Sequence, residues 1–413
     1  MADQGDSGPA PAPGNRPPFR RNGGGRRSGE GKTSRAAAGA AQGNRAPSSS
    51  PSVSGLPRAE RGPSPVTAAL PENFDSSARF PRRPTFAALD LGTNNCRLLI
   101  ARPDGTDFVI VDAFSRIVRL GEGLAASGRI SQQAMDRAVE ALTICADKLR
   151  RRRVLLSRAV ATEACRRAAN GREFIERVHR ETGIVLDIIS AKEEARLAVL
   201  GCHQLLSPGD GPALIFDIGG GSTELVLLDD RGGDPVILDW QSVPWGVVTL
   251  TEAERHDSDD PAARTAAYAA MRAHVRGAFL AFAQRIASRW PGRGEAQLRL
   301  LGTSGTVTTL ASLFLDLPSY DRSKVDGLNV ATADMRAVCE QLAAMSISQR
   351  EQLACVGRER ADLVVAGCAV LEEICDIWPA PALDVADRGI REGVLRQMMR
   401  AHAAGHNHHG AAV

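Results

Sequence analysis

Two stretches of this chain repeat one another. Leu89-Asp90-Leu91-Gly92 and Phe216-Asp217-Ile218-Gly219 both read apolar-Asp-apolar-Gly. Each is followed by a turn of small polar residues and an apolar run, Leu98-Leu99 in the first and Leu225-Val226 in the second. The two aspartates stand 127 positions apart (217 − 90). One such turn alone is a hairpin and nothing more. Two at matching places constrain the chain to a pair of similar strand-turn-strand units facing each other across a cleft.

The residue types in the repeat suit phosphate. Glycine lets backbone N–H groups come close to an anion's oxygens, so Gly92 and the run Gly219-Gly220-Gly221 are candidate phosphate nests. Thr93, Asn94, Ser222 and Thr223 add neutral donors. Asp90 and Asp217, at the ends of two facing strands, are candidate ligands of a hydrated magnesium ion, which takes one or two carboxylates and fills its other positions with water and phosphate. A third glycine turn, Gly302-Thr303-Ser304-Gly305-Thr306, joins a strand to a helix. It reads equally as an anion site at a helix N-terminus and as an ordinary capped turn.

Around these motifs the pattern is mixed α/β. Strands are expected over 86–90, 96–101, 107–114, 154–161 and 184–189, and again over 214–217, 223–228, 235–241, 298–301 and 382–386. Helices are expected over about 131–149, 165–182 with a break near Gly171, 191–206 and 260–288. The remainder after Gly305 reads as helical apart from the strand at 382–386. We divide the chain into a tail (1–84), two α/β domains (85–196 and 197–402) and a flexible end (403–413).

The 413 residues carry a net charge of +3, unevenly spread. Residues 1–84 hold 13 Lys or Arg against 6 Asp or Glu, a net of +7, which leaves the rest at −4. That segment is rich in Gly, Pro, Ser and Arg and poor in large apolar residues, so it is expected to be disordered. Its arginines allow RNA tethering, although a solvated tail is the plainer reading. Gly29-Glu30-Gly31-Lys32-Thr33 imitates a P-loop, but Arg26 stands where its leading glycine belongs. The eight cysteines form no C-x-x-C pair and read as buried thiols. No stretch is long and apolar enough to span a membrane, and the start has no secretory signal, so a cytoplasmic protein is expected.

Several further runs carry a resemblance. Asp90-Leu91-Gly92-Thr93-Asn94-Asn95 with Arg97-Leu98, then Ala161 to Arg166, then Ser190 to Arg196, then Asp217 to Glu224, then Gly302 to Thr306, and last Gly389-Ile390-Arg391-Glu392-Gly393 occur in that order. Together they resemble the exopolyphosphatase/guanosine pentaphosphate phosphohydrolase (Ppx/GppA) family, in a short two-domain form. The resemblance implies two ribonuclease H-like domains of the actin-like ATPase superfamily. It implies a magnesium-dependent hydrolase releasing terminal phosphate from polyphosphate or guanosine pentaphosphate, commonly as a homodimer. It implies Glu194 as the general base, Asp217 and Glu224 at the metal and water site, and Arg97 and Arg166 as phosphate contacts. The residues alone do not choose Glu194 over Glu193.

The chain departs from the family's pattern where Asn95 replaces a common Ser and where Asp326-Gly327 stands for a common His-Gly, positions suited to substrate selection. A chain of the short form is expected to be without the additional C-terminal helical domains of long members. Arg150 to Arg153, Arg158, Arg166 and Arg391 are candidates for a basic cleft lining. A small-molecule kinase and a non-catalytic phosphate-polymer or alarmone sensor are the alternatives.

Overall fold

A computed structural model describes residues 84–105, 107–230, 235–289 and 298–409. The expected disorder and RNA binding of the N-terminal segment fall on residues outside these, as does the Gly232-Gly233 turn.

The repeat seen in the sequence is a repeat of sheet topology. The first sheet runs β3 (Asp107–Ile117), β2 (Asn95–Asp104), β1 (Phe86–Leu91), β4 (Leu156–Ala161), β5 (Leu186–Ile188). The first three strands form an antiparallel meander, and β4 and β5 add in parallel on the other side of β1. The second sheet repeats that order with β8 (Val236–Val243), β7 (Thr223–Asp229), β6 (Ala213–Ile218), β9 (Arg299–Thr303) and β11 (Ala382–Ala386). A short antiparallel strand, β10 (Asn329–Ala331), extends its edge. That strand corrects the expectation that everything after Gly305 except 382–386 is helical. Three residues are too few to show a two-residue period.

Central strands here are buried on both faces, so β6 (ALIFDI) reads as a continuous apolar run rather than an alternating one. Helix Gln132–Arg151 is capped by Ser131, whose hydroxyl accepts from the Ala134 N–H, and it covers one face of the first sheet. The long helix Pro261–Arg289 turns Met271, Val275, Phe279, Phe282 and Ile286 to the core of the second. The stripe follows the helical period.

Helix Ala191–Cys202, which contains the expected domain boundary, is buried on two sides. Leu197 and Ala198 pack on the first sheet, while Ala195, Val199 and Cys202 pack on the second. Across it runs helix Ile390–His409, which extends past residue 402, where a flexible end is expected. Its Ile390, Val394 and Leu395 return to Phe86, Ala88 and Leu99 of the first sheet. The two helices cross with no room for side chains. A Cβ on Gly201 would lie 2.0 Å from the Gly389 carbonyl oxygen, and one on Gly393 would lie 2.0 Å from that of Leu197.

Candidate active site

The sheets' duplicated edges open on one cleft. Three turns line it: Gly92 to Asn95, Gly219 to Ser222, and Thr303 to Thr306. The first two touch. A Cβ on Gly220 would meet Thr93 Cβ at 3.0 Å and Asn94 N at 3.1 Å, and one on Gly221 would meet Thr93 Oγ1 at 2.8 Å. Only glycine allows this approach of one turn to the other.

The sheet registers set the charges. In the first sheet Asp90 lies directly opposite Arg97, and in the second Asp217 lies opposite Glu224. Like charges opposed across a ladder repel. Both members of the second pair are raised in proton affinity: burial first, then Asp217, pushes Glu224 up to about 7. Burial, opposed by Arg97, takes Asp217 to about 6. Ser222 and Ser242 donate to Glu224 Oε1 at 2.7 and 2.8 Å and moderate the rise. Asp90 is also raised by burial, with Arg97 and Arg391 pulling the other way.

Glu194 enters from helix Ala191–Cys202. Burial, then the charge of Glu224, lifts it well above the ordinary carboxylate range, and Arg166 opposes the rise. The structure separates it from its neighbour. Glu193 turns away to Arg158 and Arg196 at 3.2 and 2.8 Å, whereas Glu194 lines the cleft.

Three buried oxygens of the first unit have no hydrogen-bond partner: Asp90 Oδ1, Asn94 Oδ1 and Asn95 Oδ1. Buried acceptors are rarely left unpaired without a reason. Among the described residues no group of three or more His, Cys, Asp or Glu forms a ready-made metal cage. Unpaired oxygens beside Asp90 and Asp217 fit a hard cation that takes most of its ligands from water and phosphate.

Not every expected residue reaches the cleft wall. Arg166 lies behind it, donating to Glu194 at 3.0 Å, to the Ile189 carbonyl at 2.8 Å and to Glu163. The Thr223 hydroxyl is fully buried and donates to the Trp245 carbonyl. Gly302 faces the core, where a Cβ would meet the Phe216 ring at 2.7 Å. Arg150, Arg152 and Arg158 pair with Asp147, Asp112 and Glu193 away from the cleft, which corrects their assignment to its lining. The cations that do line it are Arg97, Arg360, Arg388 and Arg391. The sequence reading missed Arg360 and Arg388.

Ser304 carries the third turn with φ +120° and ψ 170°. Few residues other than glycine adopt this backbone, and such strain gathers at functional sites. Its hydroxyl accepts from the Thr306 N–H at 3.2 Å, capping helix Gly305–Phe314.

All eight cysteines are free, and all but Cys355 are buried. No helix among the described residues is long and apolar enough to cross a membrane.

Known proteins share this architecture. Exopolyphosphatase 2 of Mycobacterium tuberculosis (strain CDC 1551 / Oshkosh) is 33% identical over 299 residues, covering 70% of this chain and 89% of that protein. A guanosine-5'-triphosphate,3'-diphosphate pyrophosphatase of Aeromonas salmonicida is 29% identical over 326 residues, covering 79% of this chain and 60% of that protein. The crystal structure of an exopolyphosphatase from Cytophaga hutchinsonii superposes with a TM-score of 0.67 at 26% identity, over 77% of this chain and 98% of the other. The Aquifex aeolicus Ppx/GppA structure gives 0.61 at 28%, over the same shares. Residues 99–402 match the Ppx/GppA phosphatase family, and the chain belongs to it.

Proposed function

We propose that this protein is a phosphoanhydride hydrolase that releases terminal phosphate from inorganic polyphosphate, from guanosine pentaphosphate, or from both. One observation carries the reading: three phosphate-suited glycine turns and four carboxylates, Asp90, Glu194, Asp217 and Glu224, meet in a single cleft. The named relatives act on such substrates by their names.

In this reading the turns Gly92 to Asn94, Gly219 to Ser222 and Thr303 to Thr306 hold the terminal phosphates, with Arg97 and Arg391 beside them. Asp90 and Asp217 are the residues that would hold a magnesium ion. When bound, that ion neutralises charge on the phosphate oxygens. Glu194 takes the proton of the attacking water. Its raised proton affinity suits a base working near neutral pH. Arg166 occupies Glu194 Oε2 and so leaves Oε1 for that water. Glu224, fixed by two serine hydroxyls, helps to orient it. We also assign the protein to the cytoplasm and to a homodimer, the latter from the family resemblance.

The test is phosphate release from each substrate with magnesium, comparing the wild type with Glu194→Gln. Loss of a general base lowers kcat on the order of 10²–10⁴-fold with binding retained. Tight binding of either substrate without release by the wild type points to a sensor and ends this reading.

A further inference from the structure

Arg388 lies just before the Gly389 to Gly393 run, in the loop after β11, and it lines the cleft. Its Nε donates to Asp326 Oδ2 at 2.8 Å. Its two terminal nitrogens make no hydrogen bond to any described residue, and its side chain is 29% exposed. A guanidinium carries its donors in a rigid planar fork. Bonding at Nε fixes the plane and leaves the outer edge free for an anion.

Asp326 is itself held firmly. Its side chain is 10% exposed, and its Oδ1 accepts from the Asp387 N–H at 3.0 Å. Its own N–H donates to the Arg322 carbonyl, and Gly327 follows with φ +86° and bonds to the Val385 carbonyl. The sequence neighbour of Arg388, Asp387, faces Arg322 at 3.2 Å. Arg388 therefore presents a pre-oriented donor edge with little acidic competition.

Its place in the cleft is also specific. The Arg388 carbonyl accepts from Thr303 Oγ1 at 2.7 Å, which ties it to the third glycine turn. Among the arginines, Arg97 acts on both Asp90 and Asp217, and Arg391 acts on Asp90. Arg388 is not among the charges felt by either aspartate, and at 29% exposure against 13% for Arg391 it lies nearer to solvent.

We propose that Arg388, aimed by Asp326, grips the substrate's phosphates on the leaving side of the scissile bond and sets how tightly a longer chain is held. This rests on the hydrolase reading above. Arg388 is a specificity residue and Asp326 its positioning residue. Orientation before binding lowers the entropy lost on association, so the pair acts on affinity more than on turnover.

Steady-state phosphate release by the full chain from tripolyphosphate and from long-chain polyphosphate tests this. A charge-assisted hydrogen bond corresponds to about ten- to a hundredfold in affinity. Arg388→Gln is expected to raise KM for the long chain by about that factor, with a much smaller fall in kcat and a smaller KM change for tripolyphosphate. Arg388→Lys, which keeps charge without the fork, restores only part of the affinity.

Asp326→Asn decides the positioning role by its sign. It makes the wall more positive, so KM falls if Asp326 merely neutralises, and rises if it orients Arg388. A fall overturns the proposal. So do equal KM changes for both substrates, or a drop in kcat at constant KM together with a lower unfolding midpoint. If the wild type releases no phosphate, the hydrolase reading fails separately. Direct binding of long-chain polyphosphate then decides, with unchanged affinity in Arg388→Gln overturning the grip.

Discussion

Arg166 donates from Nη1 to Glu194 Oε2 at 3.0 Å, while its Nε donates to Glu163 Oε2 at 3.1 Å. A phosphate-contacting arginine would have these donors free, so the geometry makes Arg166 a partner of the carboxylate. Removing it leaves a buried charge uncompensated. Arg166→Gln is expected to lower kcat by roughly 10- to 100-fold, a fraction of a general base's contribution. Because Arg166 holds the Glu194 pKa down, its loss also moves the acid limb of the kcat profile to higher pH. Rate measurements across pH read both effects.

The contact of the first two turns admits no side chain. In Gly221→Ala the new methyl carbon meets Thr93 Oγ1 at 2.8 Å and Glu163 Cγ at 3.1 Å. Overpacking of this kind costs about 1–3 kcal/mol. We expect a lower thermal midpoint and at least a tenfold loss of kcat/KM. Gly123→Ala serves as the control. It has a positive φ but open space around it, so its cost falls on stability and spares the cleft.

Ser304 combines a strained backbone with a capping hydroxyl, and two substitutions separate these. Ser304→Ala loses the cap and keeps the strain, at about 1 kcal/mol. Ser304→Gly loses the cap and relieves the strain, which is worth about 1–3 kcal/mol. Glycine is therefore expected to be the more stable variant, by chemical denaturation. The reverse order would mean that the φ of +120° stores no strain.

Glu392 gives a pH dependence of stability. Burial would raise its pKa, but Arg391, Arg322 and the Gly389 N–H hold it below the usual carboxylate value. A depressed folded-state pKa stabilises above the unfolded value near 4.5 and is lost as pH falls through the folded one. Glu392→Gln should cost roughly 3–5 kcal/mol at pH 7, the usual effect of breaking a buried pair. The difference from wild type should close below about pH 4, a window thermal melts in acid buffers can follow.

How far the chain could be read beforehand depends on whether the signal is local. Asp90, Asp217 and their turns show in the sequence because strand, acid and glycine are contiguous. Ser131 and Ser190 both stand where a helix cap is readable, and both cap. Glu194 could not be told from Glu193, because their difference arises only when helix Ala191–Cys202 is wedged between two sheets. Arg388 escaped notice because its meaning depends on Asp326, which meets it only through the fold. Arg360 comes from a segment of turns between residues 351 and 363, with neither helical nor strand periodicity. The run Arg150 to Arg153 does not line the cleft because it sits at a helix end, where Arg150 and Arg152 pair with Asp147 and Asp112 at the surface.

The crossing of helices at Gly201 and Gly389 has a consequence for how the molecule is made. The second face of the first sheet, with Phe86, Ala88 and Leu99, is covered by residues that leave the ribosome most of the chain later. The first half therefore cannot finish folding when it emerges. It must wait, with an apolar sheet face uncovered, for Ile390, Val394 and Leu395, and the cleft closes only once those residues have been made rather than between two finished halves.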